Sequence, residues 1–192
     1  KKLIFDENKI MISQYRPFIK TYVYFDKDLN EVQYQLDKIF NKNTKSNPII
    51  ACTGSGNNND FSVLMINNLP DFQTMFNSQC YSLNTYHKES LEDGLFSNQS
   101  KKHSNFEKFE NIDERELVLV KKFYADSTIT RNDIFHYIYG LFHSKEFIND
   151  FSNNLKKESI RLPYVKNLDD FKNFEKIGKK LSELHINYED QK

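Results

Sequence analysis

The chain has no tryptophan, five glycines, four prolines and two cysteines in 192 residues, and its 27 basic side chains meet 27 acidic ones. Cys52 and Cys80 form no CxxC pair, which leaves no basis for a disulfide framework and points to a reducing cytoplasm. No apolar run reaches the roughly 20 residues that a membrane helix needs, and no signal peptide is visible. Zero net charge argues against a free-standing binder driven by phosphate contacts. It suits a module that reads bases while neighbouring domains supply most of the phosphate contacts. Arginine, the usual bidentate reader of guanine, occurs four times, as Arg16, Arg115, Arg131 and Arg161.

Catalytic motifs are equally scarce. Gly54-Ser55-Gly56 lacks both the third glycine of a dinucleotide loop and the Gly-Lys-Ser/Thr of a phosphate loop, so it reads as a hairpin turn. Asn67-Asn68-Leu69-Pro70 lacks the aromatic group that stacks on a flipped base. His136 and His143 lie seven apart on one expected helix face, with no further ligand at metal spacing. Glu7-Asn8-Lys9 matches half of a nuclease site and has no upstream aspartate to complete it. His185, near the end of an expected helix, stands where a cation suits the helix dipole. The chain starts at Lys1 rather than Met, which suggests a piece of something longer with no catalysis of its own.

What is abundant is aromatic area, 15% of residues, enough for a core. Expected strands come first: Lys2 to Ile12, Tyr15 to Phe25 with Pro17 at its start, and a hairpin of Pro48–Thr53 and Phe61–Ile66. Val32–Phe40 fits a short helix, although Tyr34 and Leu36 also permit a strand; Leu69–Phe76 is ambiguous, and Leu117–Tyr124 fits a strand or a short helix. The polar stretch His87–Glu110 reads as one long loop. From Arg131 onward about three helices follow. Thr130 with Asp133 makes a capping box for the first, whose face is Ile134, Ile138, Leu141 and Phe142. Ser144 caps the second, carrying Phe147, Ile148, Phe151 and Leu155. Pro163 closes an extended link, and Asn167 with Asp170 opens the third, with Phe171, Phe174, Ile177, Leu181 and Leu184 inward. The class is α+β, one domain over 1–192: a β-rich part to 130 and a helical part from 131.

"DIFHYIYGLFHSKEF", "IRLPYV" and "GKKLSELHINYE", together with "YRPFIKTYVYFD" at Tyr15–Asp26, resemble the C-terminal target-recognition domain of Type ISP restriction–modification enzymes. The likeness departs from the family at Ile19, where an acidic residue is usual, and at Cys80–Leu83. It implies a single-chain parent combining a nuclease, a helicase-like ATPase and an adenine-N6 methyltransferase. That parent would use S-adenosylmethionine, ATP and magnesium, none of them bound by this piece. The implied partners are double-stranded DNA and the methyltransferase and other domains of the parent, with no membrane. The competing expectation is a docking domain that holds the parent together without reading bases.

Motifs shared by enzymes with different targets cannot encode one target, so Arg16 and Arg161 are expected to be structural or to face phosphate. Base-reading residues belong where the likeness is thin: Asn57, Asn58, Asn59 and Asp60 in the hairpin turn, and the segment Asn98–Asn105. Lys101, Lys102 and His103 suit phosphate contacts beside Asn105, and Lys121 and Lys122 form a second basic pair. Lys156-Lys157 and Lys179-Lys180 read as ordinary exposed helix faces.

Overall fold

The computed structural model describes residues 4–40, 44, 46–56, 58–88 and 106–191. A single 3-10 turn at Glu7–Lys9, capped by Asp6, leads into β1 (Ile10–Arg16), which turns back at Pro17-Phe18 into β2 (Ile19–Tyr24). The N-terminal strand therefore lies later than Lys2–Ile12, and Pro17 sits in a hairpin turn rather than at a strand entrance. A proline there costs no ladder hydrogen bond. After a one-turn helix, α1 (Leu36–Ile39), come β3 (Ile49–Cys52) and β4 (Val63–Ile66), the expected hairpin around Gly54-Ser55-Gly56. The two-residue β5 (Leu69–Pro70) joins β1 in parallel, giving a sheet in the order β2-β1-β5. β6 (Gln79–Ser82) pairs with β3, giving a second sheet in the order β4-β3-β6.

Every residue of β3 and β4 is buried. Ile50, Cys52, Val63 and Met65 face one core together with the helices, while Ile49, Ala51, Leu64 and Ile66 face another with Ile39, Phe40, Leu69 and Met75. That two-sided cover explains why "PIIACT" and "VLMI" are continuous apolar runs rather than alternating ones. Burial also holds the Cys52 and Cys80 thiols at a pKa of about 12, so both are inert.

β7 (Asn84–Lys88) and β8 (Phe106–Glu110) form a third, two-stranded sheet in antiparallel register from Asn84↔Glu110 to Lys88↔Phe106. Both ends of the stretch expected as one loop are thus strands. The two phenylalanines of "FEKFE" are three apart, so the segment carries no period-2 apolar pattern to mark it as a strand. α2 (Glu114–Tyr124) resolves the strand-or-helix alternative in favour of helix, with Asp113 as its N-cap.

Three more helices complete the chain: α3 (Arg131–Phe142), α4 (Lys145–Lys157) and α5 (Leu168–Ile186). Their caps are those the sequence indicates, the Thr130–Asp133 capping box, Ser144 and Asn167. α3 is buried nearly all round, by α5 on one side and the β3–β4 hairpin on another. Glycine is required where α3 meets α5, because Cβ atoms at Gly140 and Gly178 would run into the other helix's backbone. The extended link before α5 is tied down by tyrosines. Tyr137 Oη donates to the Pro163 carbonyl at 2.6 Å and Tyr124 Oη to that of Val165 at 3.1 Å. The inward set on α5 is corrected in part: Phe171 is buried and Phe174 and Leu181 pack on the core, but Ile177 and Leu184 face outward. A 19-residue helix that packs along one stripe leaves its flanking apolar positions exposed. The architecture is α+β, β-rich first and helical last.

Candidate nucleic-acid interface

The β3–β4 turn is braced from below. Thr53 and Ser62 exchange hydrogen bonds at its base, the Gly54 amide donates to the Phe76 carbonyl, and the Gly56 amide donates to the Lys156 carbonyl at 2.7 Å. Lys156 Nζ reaches Asp60 at 3.0 Å. Lys156 is therefore a brace for this turn and not simply an exposed face of α4. Asn58 and Asn59 stand exposed on the tip, while Asn57 lies outside the described residues. Asp60 is committed to Lys156, which lowers its value as a reader of cytosine.

The second candidate set, Asn98–Asn105 with Lys101, Lys102, His103 and Asn105, lies outside the described residues. The strands that flank it are well placed. Asn105 directly precedes β8, and the β7–β8 hairpin is rooted in the body by polar groups. Buried Asn47 donates to the carbonyls of Ile39 at 3.1 Å and Asn84 at 2.8 Å, and accepts from the Asn84 amide at 3.2 Å. On the other side Arg131 donates to the Ile112 carbonyl at 2.8 Å and forms ion pairs with Glu110 and Glu114. These bonds root the β7–β8 arm in the body, and nothing in the polar sequence around Asn47 signals them.

Lys121 and Lys122 occupy the last turn of α2, where cations suit the helix dipole. Lys122 is exposed and Lys121 is half-buried near Asp126. Arg16 has structural work. It stacks over Tyr15 at 4.3 Å, donates to the carbonyls of Tyr15 and Gln73, and lies 3.9 Å from Asp71. Arg161 is exposed and pairs with Glu158. The sequence-derived candidates among the described residues thus sit on separate elements: the β3–β4 turn, the end of α2 and the β1–β2 turn.

The two motif segments farthest apart in sequence meet in space. Phe18, held at a positive φ of 58°, packs edge-on against Tyr188 and His185, and Lys20 pairs with Glu189 at 2.7 Å. The "YRPF" turn is a clasp on the end of α5. Nearby, the Tyr139 hydroxyl accepts from the Met65 amide of edge strand β4 at 2.7 Å and donates to His185 Nδ1. Burial lowers the pKa of His185, which therefore stays neutral instead of serving as the helix-end cation its position suggested. The same desolvation, with His185 close by, drives His143 down to about 4. His143 stacks edge-on to Tyr139, and its buried Nε2 has no hydrogen-bond partner among the described residues. Among the described residues no group of three or more His, Cys, Asp or Glu could hold a metal.

A pH dependence follows. The unfolded chain takes protons at its histidines near pH 6.5, while folded His143 does so only near 4, so stability should fall as pH drops from about 6.5 towards 4. The urea midpoint should be lower at pH 5 than at pH 7, and the loss should shrink in His143→Leu. An equal loss in that variant would remove His143 as the cause.

A feature that sequence reading missed is the cleft of 520 Å³ between the first sheet and α1, lined by Val23, Phe25, Leu36 and Leu69. Tyr34, at a positive φ of 47°, and Phe72 stand exposed at its rim. No motif signals it, since its walls come from segments far apart in the chain. Among the described residues no helix is long and apolar enough to cross a membrane.

Comparison with known proteins gives the geometry its context. No curated protein matches. Among solved structures, the DrdV–DNA complex matches 99% of this chain at 32% identity and TM-score 0.85, and this chain corresponds to 17% of that one. LlaBIII, an ATP-dependent Type ISP restriction–modification enzyme bound to DNA, matches all of it at 28% and 0.82, corresponding to 12% of that chain. A nuclease-deletion mutant of the Type ISP enzyme LlaGI, in complex with a DNA substrate mimic, matches all of it at 28% and 0.76, corresponding to 15% of that chain. The chain therefore spans less than a fifth of the length of these relatives. The model of the Type ISP C-terminal specificity domain matches residues 1–192, and the chain belongs to that family.

Proposed function

We propose that the chain reads a short duplex DNA sequence on behalf of a restriction–modification enzyme that methylates adenine and cleaves unmodified DNA. The observation that carries this reading is the fold-wide likeness, at 32% identity, to a protein solved in complex with DNA. In this reading residues 1–192 act as one recognition unit. The exposed amides of the β3–β4 turn and the segment borne by the β7–β8 arm meet base edges, since Asn suits adenine. Lys121, Lys122, Lys101, Lys102 and His103 meet phosphates and set the register without encoding sequence. S-adenosylmethionine, ATP and magnesium are assigned to the rest of the parent chain. The rival reading, docking without base readout, predicts no sequence preference.

Selection of bound duplexes from a randomised pool, at low salt, separates the two. One short asymmetric sequence should be enriched. Lys121→Ala with Lys122→Ala should weaken binding to all sequences alike and flatten the salt dependence by about 2 in log–log slope. Failure to enrich any sequence, in this chain and in the intact parent, would favour the docking reading.

A further inference from the structure

The outer face of the β1–β2 hairpin is apolar and uncovered. Register places Ile10 opposite Tyr24 and Ile12 opposite Tyr22 on one side of the sheet, while Met11 and Val23, on the other side, pack against the second core. Ile10, Ile12 and Tyr22 are all exposed, Tyr22 at 76%. Such a face is more than scattered surface hydrophobicity, because its members are cross-strand neighbours. DNA is a poor occupant for it. Among the described residues the cations beside it are already paired, Lys9 with Asp26 and Lys20 with Glu189, which weakens their pull on phosphate.

The path of the chain points to a different occupant. Phe5 stacks on Tyr24 with ring centroids 5.7 Å apart, and Ile4 and Phe5 are themselves exposed, so the polypeptide arrives along this same face. In the relatives, this fold makes up 12–17% of a much longer chain. A domain preceding it would come to rest beside the arriving segment, where a flat apolar sheet face stands open.

We propose that the outer face of β1–β2, centred on Ile10, Ile12 and Tyr22, is the surface on which the preceding domain of the parent polypeptide packs. This rests on the reading that the chain is the specificity part of a longer enzyme. The test is hydroxyl-radical footprinting of the intact parent without DNA. Tyr22 and Tyr34 are equally exposed in this chain, at 76% and 75%, so Tyr34 is an internal standard. Tyr22 should be oxidised at least about fivefold more slowly than Tyr34, as expected of a ring in a packed interface. Ile10→Asp with Ile12→Asp should raise the Tyr22 rate to that of Tyr34. Equal rates in the unaltered parent, or undiminished protection in the variant, would overturn the proposal. Because no DNA is present, neither result depends on base readout, which the duplex selection tests separately.

Discussion

Replacing Gly178 by alanine should destabilise the protein by at least about 3 kcal/mol, the upper range for overpacking a rigid site. A Cβ at Gly178 would stand 1.9 Å from the His136 carbonyl oxygen and 2.7 Å from the Gly140 nitrogen, both backbone atoms of α3. Backbone cannot rotate away as a side chain tip can, so the helices must separate. Separation would loosen the contacts of Phe171 and Phe174 with Tyr137 and those of Tyr139 with His185. Gly140→Ala meets the Phe174 carbonyl oxygen at 2.1 Å and should behave alike. For a chain of 192 residues the melting midpoint should fall by roughly 6–12 °C. Gly56→Ala is the control: among the described residues nothing beyond its chain neighbours lies within 4 Å of its Cβ, and its positive φ of 79° opposes the change by about 1 kcal/mol. A Gly178→Ala protein melting with the Gly56→Ala one would mean that α3 and α5 cross more loosely than described.

Asn47→Ala should cost about 3–5 kcal/mol, because it strands several buried groups at once. The carbonyls of Ile39 and Asn84 lose their donor and the Asn84 amide loses its acceptor. All lie where water cannot replace the side chain, with Asn47 fully buried and Asn84 nearly so. The contrast is Asn84→Ala, which keeps the backbone groups and, among the described residues, loses a 3.4 Å side-chain contact to Asn47, worth under about 1 kcal/mol. Urea denaturation of the two variants checks the difference. Under the recognition reading the loss has a second readout. A loosened root leaves the arm misaimed, so Asn47→Ala should lose sequence enrichment, measured well below its melting temperature, while salt-sensitive binding persists. Equal midpoints for the two variants would show that Asn47 does not hold the arm.

Local chemistry carried much of this fold into the sequence. Helix starts were legible because an Asn, Ser or Thr side chain bonds amides two or three residues on, as Thr130, Ser144 and Asn167 do. The β3–β4 hairpin was legible because two-sided burial demands unbroken apolar runs. The β7–β8 arm was not. Its second strand is mostly exposed and charged, its first is polar, and the two are separated by a connection of seventeen residues, 89–105, so pairing left no local periodicity to find. Arg16 was flagged and proved to be tied to its own neighbourhood, and Asp60 is held by Lys156 from the far end of α4. Which polar side chains are already occupied is a property of contacts between distant segments.

The sequence by itself thus determined that strands come before helices, the caps of the last three helices, the α+β class and, through "YRPF" and the C-terminal segments, the family likeness. These depend on interactions within a few residues or on patterns that one strand or helix imposes on itself. Tertiary structure alone decided that Phe18 clasps His185 and Tyr188, that the hydroxyl of Tyr139 satisfies the edge of β4, and that Ile10, Ile12 and Tyr22 remain uncovered. Each of these joins, or fails to join, segments far apart in the chain. Only the packed backbone brings such groups within reach, and no local pattern of residue types records the encounter.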